Sequence, residues 1–233
     1  MKKFLLFAAA ILAMSASAQT VVYETSFEDE PESDLAGWAT VDADGDGNGY
    51  FLYNDNNVGA VVAHSGVQCI ASASWIQSSG ALTPDNWLIS PTMTLGEGAK
   101  VELYVAGQDP SWAAEHYGIF ITENPSEDTF TADDFVALHE ANATANWELI
   151  ECDLAEYAGK DVQIAIRHFN ITDMFYVKFD DFKVTQSENT AINEVKANEM
   201  ESNVWFDLQG RRYNERPQTA GIYVNNGKKV VIK

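Results

Sequence analysis

The stretch Val162–Ile166 (VQIAI) decides the fold, because apolar residues occupy every second position of a short segment. Alternation of this kind is typical of a β-strand that buries one face. Val101–Val105 (VELYV) and Tyr117–Ile121 (YGIFI) repeat the pattern, and turn-forming residues separate the segments. Because helical segments do not alternate with these strands, the sequence predicts an all-β fold, an antiparallel β-sandwich, rather than a doubly wound sheet.

One segment departs from the strand pattern. Thr131–Glu140 begins with Thr-Ala-Asp-Asp, which is typical of a helix N-terminus. We therefore expect a short helical segment there, in a connection between two strands.

Composition and charge exclude several classes of protein. Of the 233 residues, 46% are hydrophobic and 12% aromatic, which excludes a collagenous or wholly disordered chain. The chain has 35 acidic and 14 basic residues, and its formal net charge is −21. Such a charge repels phosphate backbones and therefore argues against nucleic acid as a partner. Many carboxylates with few cations favour a bound metal ion instead.

Residues 1–18 have the features of a signal peptide. Lys2 and Lys3 precede the apolar run Phe4–Met14, and Ala16-Ser17-Ala18 offers a cleavage site before Gln19. No later segment approaches the ~20 apolar residues of a transmembrane helix. We therefore expect export, with the protein secreted or displayed on the outer cell surface.

Charge is divided unevenly along the chain. Residues 191–233 hold seven Lys/Arg and five acids, a net charge of +2, whereas residues 19–190 carry a net charge of −25. A polar run around 186–190 lies at the transition. This division predicts a main domain over 19–186, a linker over 187–195 and a small β-rich module over 196–233.

The segment Asp42–Gly47 (DADGDG) is the strongest chemical signal in the sequence. Asp42, Asp44 and Asp46 alternate with small residues, and the glycines let the backbone curl so that the carboxylates converge on a Ca²⁺ ion. The segment also fits the start of an EF-hand loop, but Tyr53 stands where that loop needs a bidentate glutamate. A solvated acidic turn without metal is the alternative, and the number of ions stays open.

No catalytic motif accompanies the four histidines. His168 is in phase with the apolar positions of Val162–Ile166, which predicts a buried structural histidine. The sequence contains no H-E-x-x-H pattern, nucleophile elbow or phosphate-binding loop, so we expect no enzymatic activity. Cys69 and Cys152 are compatible with a disulfide or with two buried thiols.

Trp112 is the main candidate for ligand contact. It follows Asp109-Pro110-Ser111, a loop signature, and exposed loop aromatics often stack on sugars or anchor protein partners. Tyr50 and Tyr53, just beyond the acidic segment, are further candidates, and packing beneath the loop is the alternative for this group. We expect four other tryptophans to lie in the core: Trp38, Trp75, Trp87 and Trp147.

Seven motifs in order resemble the cleaved adhesin domain family, the jelly-roll modules of Bacteroidetes surface proteins that include gingipain haemagglutinin/adhesin regions. They cover roughly residues 23–186: Thr25–Glu28 (TSFE), Gly37–Gly47 (GWATVDADGDG), Ala73–Trp75 (ASW), Ala81–Pro91 (ALTPDNWLISP), Glu115–Ile119 (EHYGI), Ile166–Asn170 (IRHFN) and Phe179–Phe182 (FDDF). The stretch between Ile121 and Trp147 is shorter than in many members of the family, and that puts a binding function of this surface loop in question.

The resemblance implies a non-catalytic jelly-roll sandwich. It also implies that acids from the first and last strands help to hold structural calcium. On this basis Glu28 and Asp181 are expected to join the acidic segment as ligands, with Asp180 as the substitute for Asp181.

The C-terminal segment is similar to sorting domains of the type IX secretion system. The similarity rests on Val204–Arg212 (VWFDLQGRR), Ala220–Val224 (AGIYV) and Lys228–Lys233 (KKVVIK). It implies recognition by the secretion machinery, while a short β-meander without a sorting role is the alternative.

Three functions follow from these observations. The first is a calcium-stabilised adhesin that recognises host protein or matrix. The second is a carbohydrate-binding module of a secreted glycan-processing system. The third is a structural accessory of a secreted complex without a ligand of its own.

Overall fold

The computed structural model describes residues 19–28, 35, 37–59, 61–126, 129–188, 204–225 and 228–233. The chain divides into two compact units, residues 1–189 and 190–233. The predicted signal peptide and residues 189–195 of the predicted linker lie outside the described residues. Within the described ranges, no helix is both long enough and apolar enough to cross a membrane.

The first unit consists mainly of β-strands. In chain order these are β1 (Gln19–Thr25), β2 (Ala39–Asp42), β3 (Phe51–Asn54), β4 (Gln68–Ala73), β5 (Trp75–Ile76), β6 (Gly80–Ala81), β7 (Asp85–Ile89), β8 (Met93–Thr94), β9 (Lys100–Gly107), β10 (His116–Thr122), β11 (Val136–Asn142), β12 (Glu148–Asp153), β13 (Asp161–Phe169) and β14 (Tyr176–Ser187). A short helix, α1 (Asp55–Val58), and two 3₁₀ turns, Ala132–Asp134 and Ala155–Tyr157, lie in connections.

Two six-stranded sheets form a sandwich within the described part of this unit. The first sheet has the order β12-β9-β14-β4-β3, with β1 paired to β14. The second has the order β11-β10-β13-β7-β2, with β8 paired to β13. Neighbouring strands run antiparallel in both sheets. The predicted all-β antiparallel sandwich is confirmed.

The core lies between the two sheets and follows the alternation of the sequence. On β9, Val101, Leu103 and Val105 are at most 2% exposed, while the intervening side chains are half-buried. From the opposite sheet, Ile119 of β10 and Ile164 of β13 are fully buried in the same cluster. Removal of these apolar side chains from water is the main stabilising contribution to the sandwich.

A second apolar cluster covers the outer face of the second sheet. Trp87, Phe120 and Phe169 are buried there, and Phe130 and Phe135 pack onto them from the segment before β11. Strand β13 is therefore buried on both faces, which explains why almost all of its side chains are inaccessible.

The helical prediction for Thr131–Glu140 is wrong for most of its length. Only Ala132–Asp134 forms a 3₁₀ turn, and Thr131 makes no side-chain capping bond to it. Val136–Asn142 instead forms β11, which pairs with β10. Ladder hydrogen bonds to a neighbouring strand outweigh a weak local helix signal.

Cys69 and Cys152 are free thiols, and both are buried. Burial raises the pKa of Cys69 to about 12. Of the two alternatives that the sequence left open, the structure has separate buried thiols.

The second unit is a small antiparallel sheet. Its strands are β15 (Trp205–Asp207), β16 (Arg212–Tyr213), β17 (Gly221–Asn225) and β18 (Lys228–Ile232), in the order β16-β15-β17-β18. Trp205, Tyr223 and Ile232 form its buried cluster.

The core assignment gives a first prediction. We expect Leu103→Ala to lower the free energy of unfolding by about 2–5 kcal/mol, because it removes a fully buried side chain and leaves a cavity. Val136→Ala, at a side chain that is 61% exposed, is the control and should change stability by less than about 0.5 kcal/mol. Urea denaturation measures both, and equal stability of the two variants would contradict the assignment.

Candidate functional site

The acidic segment forms a tight loop between β2 and β3. The carboxylate of Asp42 accepts hydrogen bonds from the backbone amides of Gly45 (2.8 Å) and Gly47 (2.7 Å). Both glycines have positive φ, 73° and 84°, where other residues would be strained. The loop therefore curls around Asp42, as the glycine spacing predicted.

This curl brings three carboxylates together. One oxygen each from Asp42, Asp44 and Asp46 lies within 4.8 Å of the others. Calcium binds oxygens at 2.3–2.6 Å, so ligands on one ion are separated by up to roughly 5 Å. Among the described residues, no Lys, Arg or His forms an ion pair with these three acids. The donor set and its spacing fit a divalent cation.

The acids of this loop perturb one another. A hydrogen bond from Asp44, with the Gly47 amide, lowers the pKa of Asp42. Burial, the same hydrogen bond and the charges of Asp46 and Asp42 raise the pKa of Asp44 to about 6. The opposite shifts of the two pKa values show that these carboxylates interact at close range.

A buried amide lies beside the loop. Asn86 of β7 is the register partner of Asp42, and its Nδ2 donates to the carbonyl of Asn48 at 2.9 Å. Asn86 is 1% exposed, and its Oδ1 has no hydrogen-bond partner among the described residues. Asn86 thus ties the end of the acidic loop to the buried face of β7 through its Nδ2.

The other three predicted metal ligands lie elsewhere. Glu28 accepts from the amides of Val67 and Gln68 at 2.9–3.0 Å. Asp181, at the bulge of β14, lies 2.6 Å from Nδ1 of His64. The buried Asp180 accepts from the amides of His64, Ser65 and Asp181, and burial raises its pKa to about 6. All three thus anchor the segment before β4.

The full length of β3 separates these two groups of acids. The acidic loop precedes Phe51, whereas Gln68 pairs with Asn54 at the far end of the strand. Three residue steps of about 3.3 Å separate Phe51 from Asn54 by roughly 10 Å, about twice the spacing of ligands on one ion. Among the described residues, the carboxylates of Asp42, Asp44 and Asp46 form one close group, and Glu28, Asp180 and Asp181 anchor the segment before β4 as a separate group.

A buried polar network connects the two sheets. Glu115, just before β10, is 0% exposed, and its Oε2 accepts from Nε2 of His168 at 3.0 Å. Its Oε1 accepts from the hydroxyl of Ser74 (2.8 Å) and the amide of Phe175 (2.7 Å). On the other side of the ring, Nδ1 of His168 lies 2.8 Å from Oγ of Ser72. His168 is thus the satisfied buried histidine that the sequence predicted.

Trp112 lies at the surface near this network. Its side chain is 52% exposed, and its loop is closed by a bond from the amide of Ser111 to Oδ1 of Asp109. A pocket of about 340 Å³ opens beside it, and its lining residues are Trp75, Asp109, Trp112, Asp173, Met174 and Phe175. Trp112 therefore projects from the loop instead of packing beneath it.

The two tyrosine candidates have different surroundings. Tyr50 packs against Phe179 of the core, and its hydroxyl donates to the carbonyl of Ile166. Tyr53 contacts Phe51 and Tyr176 on one side of the first sheet. The structure thus places Tyr50 in the core packing and Tyr53 among half-buried aromatic rings.

Sequence reasoning missed part of the surface around Trp112. Trp75 was expected in the core, as was Trp147, but both are half-buried, whereas Trp38 and Trp87 are buried. Trp75 lies in β5, a strand of two residues that pairs with β6 outside the two large sheets. Phe175 and Asp173 come to this surface through the connection before β14, which no local pattern indicated.

Comparisons with known proteins agree with this architecture. Residues 20–184 match the family described as Cleaved Adhesin Domain. Lys-gingipain W83 of Porphyromonas gingivalis is 32% identical over 164 residues, 64% of this chain and 9% of that protein. Hemagglutinin A of Porphyromonas gingivalis is 30% identical over 184 residues, 73% of this chain and 7% of that protein. The chain thus spans less than a tenth of the length of these relatives.

Two solved structures are similar over most of the first unit. The K1 cleaved adhesin domain of Lys-gingipain from Porphyromonas gingivalis W83 has a TM-score of 0.62 and 31% identity, covering 73% of this chain and 99% of that chain. The K2 cleaved adhesin domain of Lys-gingipain has a TM-score of 0.60 and 27% identity, covering 72% and 98%.

The buried network gives a second prediction. Glu115→Ala leaves the His168 ring, the Ser74 hydroxyl and the Phe175 amide without their acceptor, so we expect a loss of about 2–5 kcal/mol in the free energy of unfolding. Glu140→Ala, at a side chain that is 44% exposed, is the matched control and should stay within about 0.5 kcal/mol of the wild type. If urea denaturation gives both variants the same stability, the network does not hold the sheets together.

Proposed function

The chain belongs to the cleaved adhesin domain family, and from this premise we propose that it is an exported, non-catalytic adhesin module that recognises host protein or matrix. The observation that carries the proposal is Trp112, a large aromatic side chain that is 52% exposed beside a pocket. Large aromatic side chains dominate the binding energy of many protein interfaces. The pocket and the Trp112 loop would form the contact surface.

Export would use the two ends of the chain. Residues 1–18 would direct the protein out of the cytoplasm, as their charge and apolar run indicate. The C-terminal unit would then be the segment that a type IX secretion machinery recognises. It is a separate compact sheet with a basic segment, which supports this role.

Calcium would stabilise the module at the acidic loop. Asp42, Asp44 and Asp46 would supply carboxylate ligands, and the ion would neutralise the mutual repulsion that contributes to the raised pKa of Asp44. Neutralisation fixes the loop between β2 and β3 and so stabilises the end of the sandwich where it lies. The ion would have a structural role and would take no part in a reaction.

Thermal unfolding of the full chain tests the calcium site. At pH 7 we expect calcium at 100 times its dissociation constant to add about 2.7 kcal/mol and to raise Tm by about 5–10 °C relative to excess EDTA. Asp44→Asn should lose most of this gain, because one charged ligand is removed. An equal Tm in calcium and EDTA for the wild type would contradict the proposal.

The pH dependence in EDTA is a further check on the same variant. The folded chain raises the pKa of Asp44 from 3.8 to about 6, so the folded state binds this proton more tightly than the unfolded state does. The contribution of Asp44 is therefore present below pH 4 and lost as pH rises through 6. In EDTA, Asp44→Asn should lack this loss and become the more stable chain at pH 7.

Adhesion of the full chain to immobilised fibronectin, laminin and collagen, in calcium, tests the binding function. We expect the wild type to bind at least one of these proteins and Trp112→Ala to bind at least roughly 30-fold more weakly, since hot-spot aromatic truncations cost about 2 kcal/mol or more. Leu149→Ala, at a side chain that is 50% exposed, is the matched control and should bind like the wild type. Equal binding by both variants would exclude the Trp112 surface.

A further inference from the structure

A row of aromatic rings extends across the first unit from the pocket that Trp112 and Trp75 line together. We call it the aromatic row; it comprises Trp112, Trp75, Phe175, Tyr176, Phe51 and Tyr53. The centroids of Trp75 and Phe175 are 6.1 Å apart, and Phe175 stacks on Tyr176 at 4.0 Å. Tyr176 in turn contacts Phe51 at 5.3 Å and Tyr53 at 5.6 Å. Apart from the exposed Trp112, every ring in the row is half-buried.

The polar groups along the row are two carboxylates at one end and two tyrosine hydroxyls at the other. Asp109 and Asp173 line the pocket at one end, and its lining contains no Lys or Arg. A carboxylate accepts hydrogen bonds and donates none when it is ionised. At the other end, the hydroxyls of Tyr53 and Tyr176 make no hydrogen bond within the described part of the chain. The surface therefore combines flat apolar faces with groups that pair with hydroxyls.

The pocket is built on a rigid support. The buried Glu115 holds the amide of Phe175, and the hydroxyl of Ser74 accepts from the amide of Met174 at 3.1 Å. The amide of Asp173 also donates to the carbonyl of Ser74. Three consecutive residues of the wall are thus fixed by groups that are 0% exposed. A site with its conformation fixed before binding loses less entropy when a ligand arrives.

We propose that the aromatic row binds a neutral glycan chain. Pyranose rings would lie with their C–H faces on the aromatic side chains, and their hydroxyls would donate to Asp109 and Asp173. This inference rests on the proposed adhesin function and specifies the chemistry that its contact surface recognises. The glycan is either a free polysaccharide or the carbohydrate of a host glycoprotein.

Charge and shape favour this ligand over two others. The net charge of −25 over residues 19–190 and the two pocket carboxylates repel sulfated or sialylated glycans. A single Lys or Arg side chain would occupy part of the pocket alone and leave the rings beyond Phe175 uncovered. A chain of neutral pyranose rings covers both the pocket and the row.

Affinity electrophoresis of the full chain in calcium tests the polysaccharide source, with gels that contain galactan, xylan, mannan or a neutral β-glucan. We expect at least one polymer to retard the wild type. Trp112→Ala and Phe175→Ala should bind that polymer at least roughly tenfold more weakly. Leu149→Ala is the matched control and should be retarded like the wild type. Because Trp112 is exposed, its variant should keep the wild-type Tm.

Adhesion to the same matrix proteins before and after enzymatic removal of their glycans tests the glycoprotein source. Adhesion that needs both the glycans and Trp112 supports the inference even if no gel retards the chain. Adhesion that needs Trp112 but survives deglycosylation, with no retardation, overturns the glycan inference and leaves the adhesin function standing. Loss of that adhesion to competing polylysine would identify a basic peptide as the occupant.

Two other outcomes also count against the inference. Retardation that is equal in the wild type and Trp112→Ala would mean that sugars bind elsewhere. Absence of both retardation and adhesion would overturn the adhesin function together with the inference that rests on it.

Discussion

The buried carboxylate of Glu115 is the constraint on which the candidate binding surface depends. It is 0% exposed and accepts hydrogen bonds from His168 in one sheet and from Ser74 and Phe175 beside the other. A buried carboxylate is costly unless it is fully paired, and a fully paired one fixes its neighbours in a single arrangement. The connection before β14 therefore follows one path, and that path places Phe175 next to Trp75.

The same network reaches the acidic loop. Ser72 lies within hydrogen-bond distance of His168 and accepts from Nδ2 of Asn86 at 3.1 Å. Asn86 in turn donates to the carbonyl of Asn48 at the end of the loop. The aromatic row and the carboxylate triad are thus attached to one rigid group of buried polar side chains. This arrangement suits a binding module, in which a fixed scaffold presents loops to a partner.

The sequence predicted features that depend on local pattern and missed those that depend on tertiary contact. Alternation located Val162–Ile166 and the core face of His168, because side chains of a strand alternate between its two faces. Glycine spacing predicted the convergence of the loop triad, since positive φ at Gly45 is a local property. The position of Glu28 relative to that loop depends on strand order, which no local pattern specifies. The same reason explains the strand at Val136–Asn142, whose partner β10 outweighs a helix-like start.

The aromatic row could not be predicted from the sequence, because its members also come together through strand order. Phe175 and Tyr53 are far apart in the chain and meet through Tyr176 only because β3 and β14 both flank β4. Trp112 could be identified from its loop, but its neighbours could not.

Native-state hydrogen exchange of the Phe175 amide tests the central claim most directly. This amide lies in a surface connection, yet its acceptor is the buried Glu115. If Glu115 fixes the connection, the amide exchanges as slowly as that of Val177 in the core of β14, through global unfolding. Exchange as fast as that of an exposed loop amide would contradict the account.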